Sequence, residues 1–246
     1  MQAVITGASS GIGRDMAKIL SNMGYDLILV ARRRERMEEL HLPNTRIFSY
    51  DLSKEGEVFA FYWEMAEEPV DIFINNAGFG VFGEFVENSL ERELSMLSVN
   101  VTAVHILTKL FLDKLIRQNH GYLLNVASSA AFYPAPLLAA YYATKAYVYR
   151  LTLGIYEELR VQKSGVSVSV LCPGPVSTEF DDVANVKFSL RSLPSDYVAR
   201  YAIRQMLRKK AVIIPGFSMK AGKFFSRFVP EKLMLRIMRH AQQKKG

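Results

Sequence analysis

Short runs of consecutive apolar residues alternate along this chain with longer stretches of helical periodicity, and this alternation limits the possible folds most strongly. The runs are Ala3–Thr6, Asp26–Ala31, Arg46–Tyr50, Val70–Asn75, Tyr122–Ala127, Val166–Leu171 and Ala211–Ile214. Apolar residues at successive positions, rather than at every second one, mark strands covered on both faces. Helical patterns intervene at Ile12–Met23, Leu90–Arg117, Leu138–Gln162 and Ser195–Arg208. Strand–helix–strand repetition requires right-handed crossovers and therefore a parallel sheet. The expectation is an α/β fold, a doubly wound parallel sheet between two helical layers. Its expected strand order is 3-2-1-4-5-6, with one more strand at the end.

No repeat, low-complexity tract or linker divides the 246 residues, so one domain spanning 1–246 is expected. Within it, 175–194 reads as a substrate lid and 217–246 as a basic amphipathic segment. Half of the residues are hydrophobic and 22% are charged, which excludes global disorder. The single cysteine, Cys172, excludes an intrachain disulfide. Met1 and Gln2 run straight into an apolar strand with no basic leader, and no apolar run approaches the roughly 18 residues of a membrane span. A cytoplasmic protein is expected. The net charge is +7, and residues 217–246 alone hold eight Lys or Arg against one Glu, so the rest of the chain is balanced. No nucleic-acid-binding motif accompanies this charge. No His/Cys/Asp spacing of the zinc type occurs, so no metal is expected.

The first strand runs into Thr6-Gly7-Ala8-Ser9-Ser10-Gly11-Ile12-Gly13 and then the first helix. Glycines there let the backbone approach a pyrophosphate, and the helix N-terminus supplies free N–H groups and partial positive charge. In this context the turn reads as the dinucleotide site of a Rossmann fold, with Gly7, Ser9, Ser10, Gly11, Ile12 and Gly13 as contacts. The same letters also spell Gly7-x-Ser9-x-Gly11, the elbow of a serine hydrolase, which stays open as an alternative. No strand precedes this one to supply an oxyanion hole, and none of His41, His105, His120 and His240 falls in a loop after a late strand.

The end of the second strand selects the dinucleotide. An acid there binds a ribose 2′-hydroxyl, whereas an arginine accommodates a 2′-phosphate. The chain reads Ala31-Arg32-Arg33-Arg34. Three cations at the start of a helix oppose its dipole, so they point to a ligand. NADP(H) is expected, with Arg32 and Arg33 gripping the phosphate.

With these residues identified, the chain resembles the short-chain dehydrogenase/reductase family over about its first 180 residues. Thr6–Gly13 matches the family's glycine turn, and Asp51-Leu52 its adenine-contacting pair. Asn75-Asn76-Ala77-Gly78 matches its Asn-Asn-Ala-Gly signature. Ser128, Tyr141 and Lys145 match its Ser…Tyr-x-x-x-Lys set, and Pro173-Gly174-Pro175-Val176-Ser177-Thr178 its Pro-Gly segment. Asn100 lies where the family carries a catalytic asparagine. The resemblance implies that Asn76, Ala77, Gly78, Pro173, Gly174, Val176 and Thr178 contact the cofactor together with Tyr141 and Lys145. It also implies a homodimer or homotetramer. Only Tyr141 of the Tyr141-Tyr142 pair has a lysine four residues on, and the family spacing of thirteen residues selects Ser128 over Ser129.

The chemistry follows from these side chains. Tyr141 acts as general acid or base on a carbonyl or alcohol, and Ser128 holds the substrate oxygen. Lys145, one turn along the same helix face, is expected to lower the tyrosine pKa from about 10 by up to roughly three pH units before desolvation subtracts. The resemblance gives Asn100 a water that links Lys145 to solvent. Phe79, Phe82, Ala130, Phe132, Leu137, Phe180 and Phe188 are candidates for an apolar substrate pocket. A binding protein that senses NADP(H) without turnover is a third reading. The basic segment presents apolar faces that either cap the body or meet an anionic membrane or an acidic carrier protein.

Overall fold

The computed structural model describes residues 1–179 and 192–243. Its centre is a seven-stranded sheet built from β1 (Gln2–Thr6), β2 (Asp26–Ala31), β3 (Thr45–Ser49), β4 (Ile72–Asn75), β5 (Gly121–Val126), β6 (Val166–Leu171) and a last strand at Val212–Ile213. The spatial order is β3-β2-β1-β4-β5-β6 and then the last strand, as expected. Every neighbouring pair is parallel. Strand ends differ from the sequence reading by a residue or two. The fourth starts at Ile72; just before it Asp71 still bonds through its backbone to Gln2 and Tyr122, and its carboxylate accepts from the Gln2 backbone N–H.

Helices α1 (Gly11–Asn22) and α2 (Arg34–Glu38) follow β1 and β2, and α3 (Glu55–Glu64) follows β3. One face of the sheet packs Ile5, Leu27, Leu29, Ile72 and Leu124 against Met16 and Leu20 of α1 and against Val198 and Met206 of a later helix, Ser195–Leu207. The other face packs Val4, Ile28, Phe73 and Leu123 against Phe61 of α3 and Phe111 and Leu115 of α5 (Val104–Gln118). This two-sided burial explains the unbroken apolar runs. Asp15 of α1 accepts a buried hydrogen bond from Ser195, which ties the two helices of the first face.

The expected helix Leu90–Arg117 is divided. It runs as α4 (Leu90–Leu97), a wide π-turn at Ser98–Ala103, and α5. By length and composition Leu90–Gln118 passes for a membrane-spanning helix, against the expectation that no segment approaches one. Its Leu107, Phe111 and Leu115 are nevertheless buried on the sheet, as in the core helix of a globular fold.

Helix α6 (Ala139–Val161) lines the sheet beyond β5. After β6 the chain makes two short strands, β7 (Val176–Ser177) and β8 (Leu193–Pro194), which pair in parallel. They pin together the two ends of the segment read as a lid. Phe180 and Phe188 lie outside the described residues. The helix Ser195–Leu207 is α7, Val212–Ile213 is β9, and the described residues end in α8 (Phe217–Phe225), a tight turn at Ser226–Phe228, and α9 (Glu231–Gln243).

Candidate active site

The carboxyl ends of β1, β2, β4 and β5 open onto a cavity of about 340 Å³. Gly7, Ser9, Ser10, Gly11 and Ile12 form its floor. Gly11 takes φ +53°, a left-handed conformation that favours glycine, and it faces Thr178. Gly13 does not line the cavity. A Cβ there would sit 2.4 Å from Asn76 Nδ2 and 2.5 Å from the Gly7 oxygen, so its role is close packing beneath the turn. Helix α1 has no acid in its first turn, and the Ser10 side chain does not cap it. An uncapped helix N-terminus under a glycine turn suits a bound pyrophosphate.

The β4 end is held rigidly to this floor. The Thr6 hydroxyl accepts from the backbone N–H of both Asn76 and Ala77 at 3.0 Å, and Asn76 Nδ2 donates to the oxygens of Thr6 and Gly7. Asn75 is buried and donates to the Val104 oxygen, so it is structural. Asn76, Ala77 and Gly78 line the cavity.

At the outer end the lining is Ala31, Arg32, Arg33, Tyr50, Asp51 and Leu52. Burial alone pushes the Asp51 carboxyl up, but the Ser53 N–H and hydroxyl, with Arg32 nearby, hold it below the usual range. Arg33 is already engaged. Its guanidinium donates to Ser9 and Ser10 and, at 2.8 Å, to Glu179. Glu179 also pairs with Arg36. Hydrogen bonds from Arg33 and the charge of both arginines keep the Glu179 carboxyl below its usual range.

The inner end contains Val126, Ala127, Tyr141 and Lys145. The Ser128 and Tyr141 hydroxyls share a hydrogen bond, and Ser128 Oγ also accepts from the Ala130 N–H. Burial pushes the Tyr141 phenol up to about 12, with the serine offsetting part of the rise. The expected lowering by Lys145 is therefore corrected. The ammonium donates to the Val126 oxygen at 3.1 Å and lies 5.8 Å from the centroid of the tyrosine ring. Its own burial brings it down to about 8. Both groups are desolvated, and burial is the largest cause of each shift. Tyr142 points elsewhere. Its hydroxyl accepts from Gln242 Nε2 of α9, and burial raises its pKa.

Asn100 sits in the π-turn, fully buried. Its amide donates to the Phe79 oxygen and the Thr144 hydroxyl, and its oxygen accepts from the Phe79 N–H. With both amide hydrogens used, the side chain braces the Phe79 loop against α6. Its oxygen and the Lys145 ammonium both face Gly78, where a Cβ would stand 2.9 and 3.1 Å from them. A wide turn of this kind often marks a functional position in a helix.

In the Pro-Gly segment only Thr178 lines the cavity, joined by Glu179. The Pro173 oxygen accepts from Ser129, Gly174 faces Met219 of α8, and Val176 is buried in β7. These three shape the segment without forming the cavity wall. Of the substrate-pocket candidates, Phe79, Phe82 and Ala130 gather with Tyr141, Tyr142 and Met238 in one apolar cluster. Phe132 instead packs edge-on against Tyr149, and Leu137 serves as a left-handed corner whose oxygen accepts from Gly83. Sequence reasoning missed Glu179, Tyr50 and Val99. Glu179 meets Arg33 across 146 residues, a separation that no local pattern signals.

The histidines lie away from Ser9: His105 bonds Tyr147, His120 faces Asp71, and His41 and His240 are exposed. The serine in the turn thus has no base among them. The family model described as short chain dehydrogenase matches residues 1–187. The chain belongs to the short-chain dehydrogenase family. It is 32% identical over 182 residues to an uncharacterised oxidoreductase of Staphylococcus epidermidis, covering 72% of this chain and 78% of that one. A short-chain dehydrogenase from Sphingobium yanoikuyae in complex with NADPH superposes with a TM-score of 0.85 at 29% identity, over 95% and 94% of the two chains. A family member from Burkholderia phymatum in complex with NAD gives 0.83 at 25% identity, over 92% of each. The chain is thus a short-chain dehydrogenase family oxidoreductase with a nucleotide-binding Rossmann fold, and the serine-hydrolase alternative falls.

Proposed function

We propose that this oxidoreductase uses NADP(H) and interconverts a carbonyl and a secondary alcohol on a hydrophobic substrate, with reduction the working direction in the cytoplasm. One observation carries the reading: a single cavity joins an arginine-rich outer end to the buried Tyr141 and Lys145, with the half-buried Ser128 beside the tyrosine. Relatives hold either NADPH or NAD, so the outer residues of this chain must decide between them. Ala31 stands where a ribose-binding acid is needed for NAD, and Arg32 and Arg33 border the same space. A dianionic 2′-phosphate there gains charge-assisted hydrogen bonds that a hydroxyl does not.

When bound, the nicotinamide supplies the hydride. The chain supplies the rest. Tyr141, held protonated by burial, is placed to donate its phenolic proton to the substrate oxygen. Ser128 orients that oxygen through its shared hydrogen bond with the tyrosine. Lys145, still an ammonium below about pH 8, provides the positive field for the oxyanion left on Tyr141. Asn100 fixes the Phe79 loop and so the position of Gly78 beneath both. The cluster of Phe79, Phe82, Val81 and Met238 around Tyr141 and Tyr142 favours an apolar substrate.

The test is turnover of a panel of bulky ketones followed by NADPH absorbance, repeated with NADH. Faster turnover with NADPH on apolar ketones is expected. No turnover on any ketone, with NADPH still bound, would return the chain to a cofactor-sensing role.

A further inference from the structure

Helix α8 is mounted with its apolar stripe outward. Phe217, Phe224 and Phe225 recur at i, i+7 and i+8 along the helix, and Phe228 follows in the tight turn after it. They are 85%, 55%, 63% and 71% exposed. Phe224 touches Phe225 and Phe228 edge-on with ring centres 5.5 Å apart, so these three rings form one patch. The inward face carries Met219, which packs on Gly174, and Lys223. The Lys223 ammonium donates to the Tyr149 hydroxyl at 2.8 Å and lies 5.0 Å from the Phe132 ring. A helix that only capped the body would bury its phenylalanines; this one leaves them exposed and half-buries Lys223 against the body.

We propose that this face docks the protein on an anionic membrane surface. Charge selects the occupant. Residues 217–246 hold all of the net charge of +7, and Lys232, Arg236 and Arg239 are exposed on one side of α9, the helix that follows the patch in the chain. A second copy meeting the patch by a twofold axis would bring two such segments together, with like charges opposed. Acidic headgroups around inserted aromatic rings satisfy both the charge and the apolar surface. The position adds a reason for docking. Met238 of α9 belongs to the cluster that surrounds Tyr141, and Gln242 bonds Tyr142. Helix α8, which carries the patch, packs on the Ser129–Phe132 turn, whose Ala130 belongs to the same cluster, so docking would bring lipid towards the proposed substrate side. The docking rests on the geometry of the tail and stands or falls apart from the cofactor reading.

Flotation of the full-length protein with vesicles tests it. Vesicles of phosphatidylcholine with a minority of phosphatidylglycerol should carry the protein at low salt, and pure phosphatidylcholine should carry at least about tenfold less. Molar salt, which shortens the screening length to about 3 Å, should release it. Phe224→Ser/Phe225→Ser/Phe228→Ser should cut binding at least about tenfold while NADPH affinity is unchanged. Lys232→Glu/Arg236→Glu, which leaves the aromatic stripe intact, should remove the preference for anionic lipid. Failure of the wild-type chain to float with anionic vesicles at low salt overturns the proposal, as does equal flotation of the serine variant. A serine variant that turns an oligomer into monomers, with no vesicle binding by either protein, assigns the patch to a second copy instead. Binding to an acidic carrier protein with vesicles ignored assigns it to that partner, and also overturns the proposal.

Discussion

The two ends of the cofactor cavity are built on opposite electrostatic plans. At the inner end Tyr141, Lys145 and Asn100 are buried, and each has hydrogen-bond partners within the fold. At the outer end Arg33 and Glu179 remain 45% and 33% exposed, and charges pair across solvent. Interactions in a buried group are strong and mutually dependent, whereas exposed ion pairs contribute little and exchange partners easily. The inner end is therefore where substitution should stop the chemistry, and the outer end where it should only alter which dinucleotide binds.

The largest effect is expected from Tyr141→Phe, which removes the proton donor without changing the ring. The reduction rate should fall about 10²- to 10⁴-fold, and NADPH affinity should stay within about twofold. Tyr142→Phe breaks only the bond to Gln242 and should be much milder. Equal losses in both variants would show that the chemistry is not centred on Tyr141.

Next comes Arg33→Ala. A charge-assisted hydrogen bond contributes about 1.5–3 kcal/mol, so NADPH should weaken roughly 10- to 150-fold while NADH changes little. Titration of both dinucleotides decides it. A matched loss for both would place Arg33 in general cleft structure rather than in selectivity.

The inner end also makes a pH prediction. Lys145 falls to about 8 through burial, while Tyr141 rises to about 12. Between these values the tyrosine keeps its proton and the lysine loses its charge. The reduction rate at saturating NADPH should be flat below about pH 8 and decline by up to about tenfold per pH unit above it. A profile flat to pH 10 would separate the ammonium from the chemistry. The same shift bears on stability. A lysine with a depressed folded pKa binds fewer protons folded than unfolded between about 8 and its ordinary 10.5, so its contribution improves as pH rises through that window.

What the sequence revealed divides along the same line. Strands covered on both faces announce themselves as apolar runs, and the sheet order followed from their alternation with helices. Ser128, Tyr141 and Lys145 stood out through the resemblance rather than through their spacing alone, and the fold brings Ser128 and Lys145 beside Tyr141. Which way Lys145 points was not legible, since the Val126 carbonyl that receives it comes from strand β5, far along the chain from α6. The π-turn at Asn100 was hidden as well. The periodicity of Leu90–Arg117 continues through it, and the turn accompanies bonds to Phe79 and Thr144, which lie far along the chain. In the tail, periodicity marked α8 as amphipathic but gave no sign of which face meets the body. That was decided by Met219 and Lys223 finding Gly174 and Tyr149.

The smallest expected effect sharpens the comparison most. Glu179 holds Arg33 at 2.8 Å and pairs with Arg36, so an anion of the chain itself already occupies the guanidinium proposed for the 2′-phosphate. NADPH must displace that carboxylate, and NADH need not. An exposed pair of this kind contributes about 0.2–1 kcal/mol, so Glu179→Gln should tighten NADPH by roughly 1.5- to 5-fold and leave NADH nearly unchanged. The sign separates two roles. If Glu179 instead clasps the cavity over a bound dinucleotide, its loss should weaken NADH and NADPH together. Salt gives an independent check: the gain in NADPH affinity should shrink as screening rises, because a competing exposed charge is screened in the same way as the phosphate it opposes.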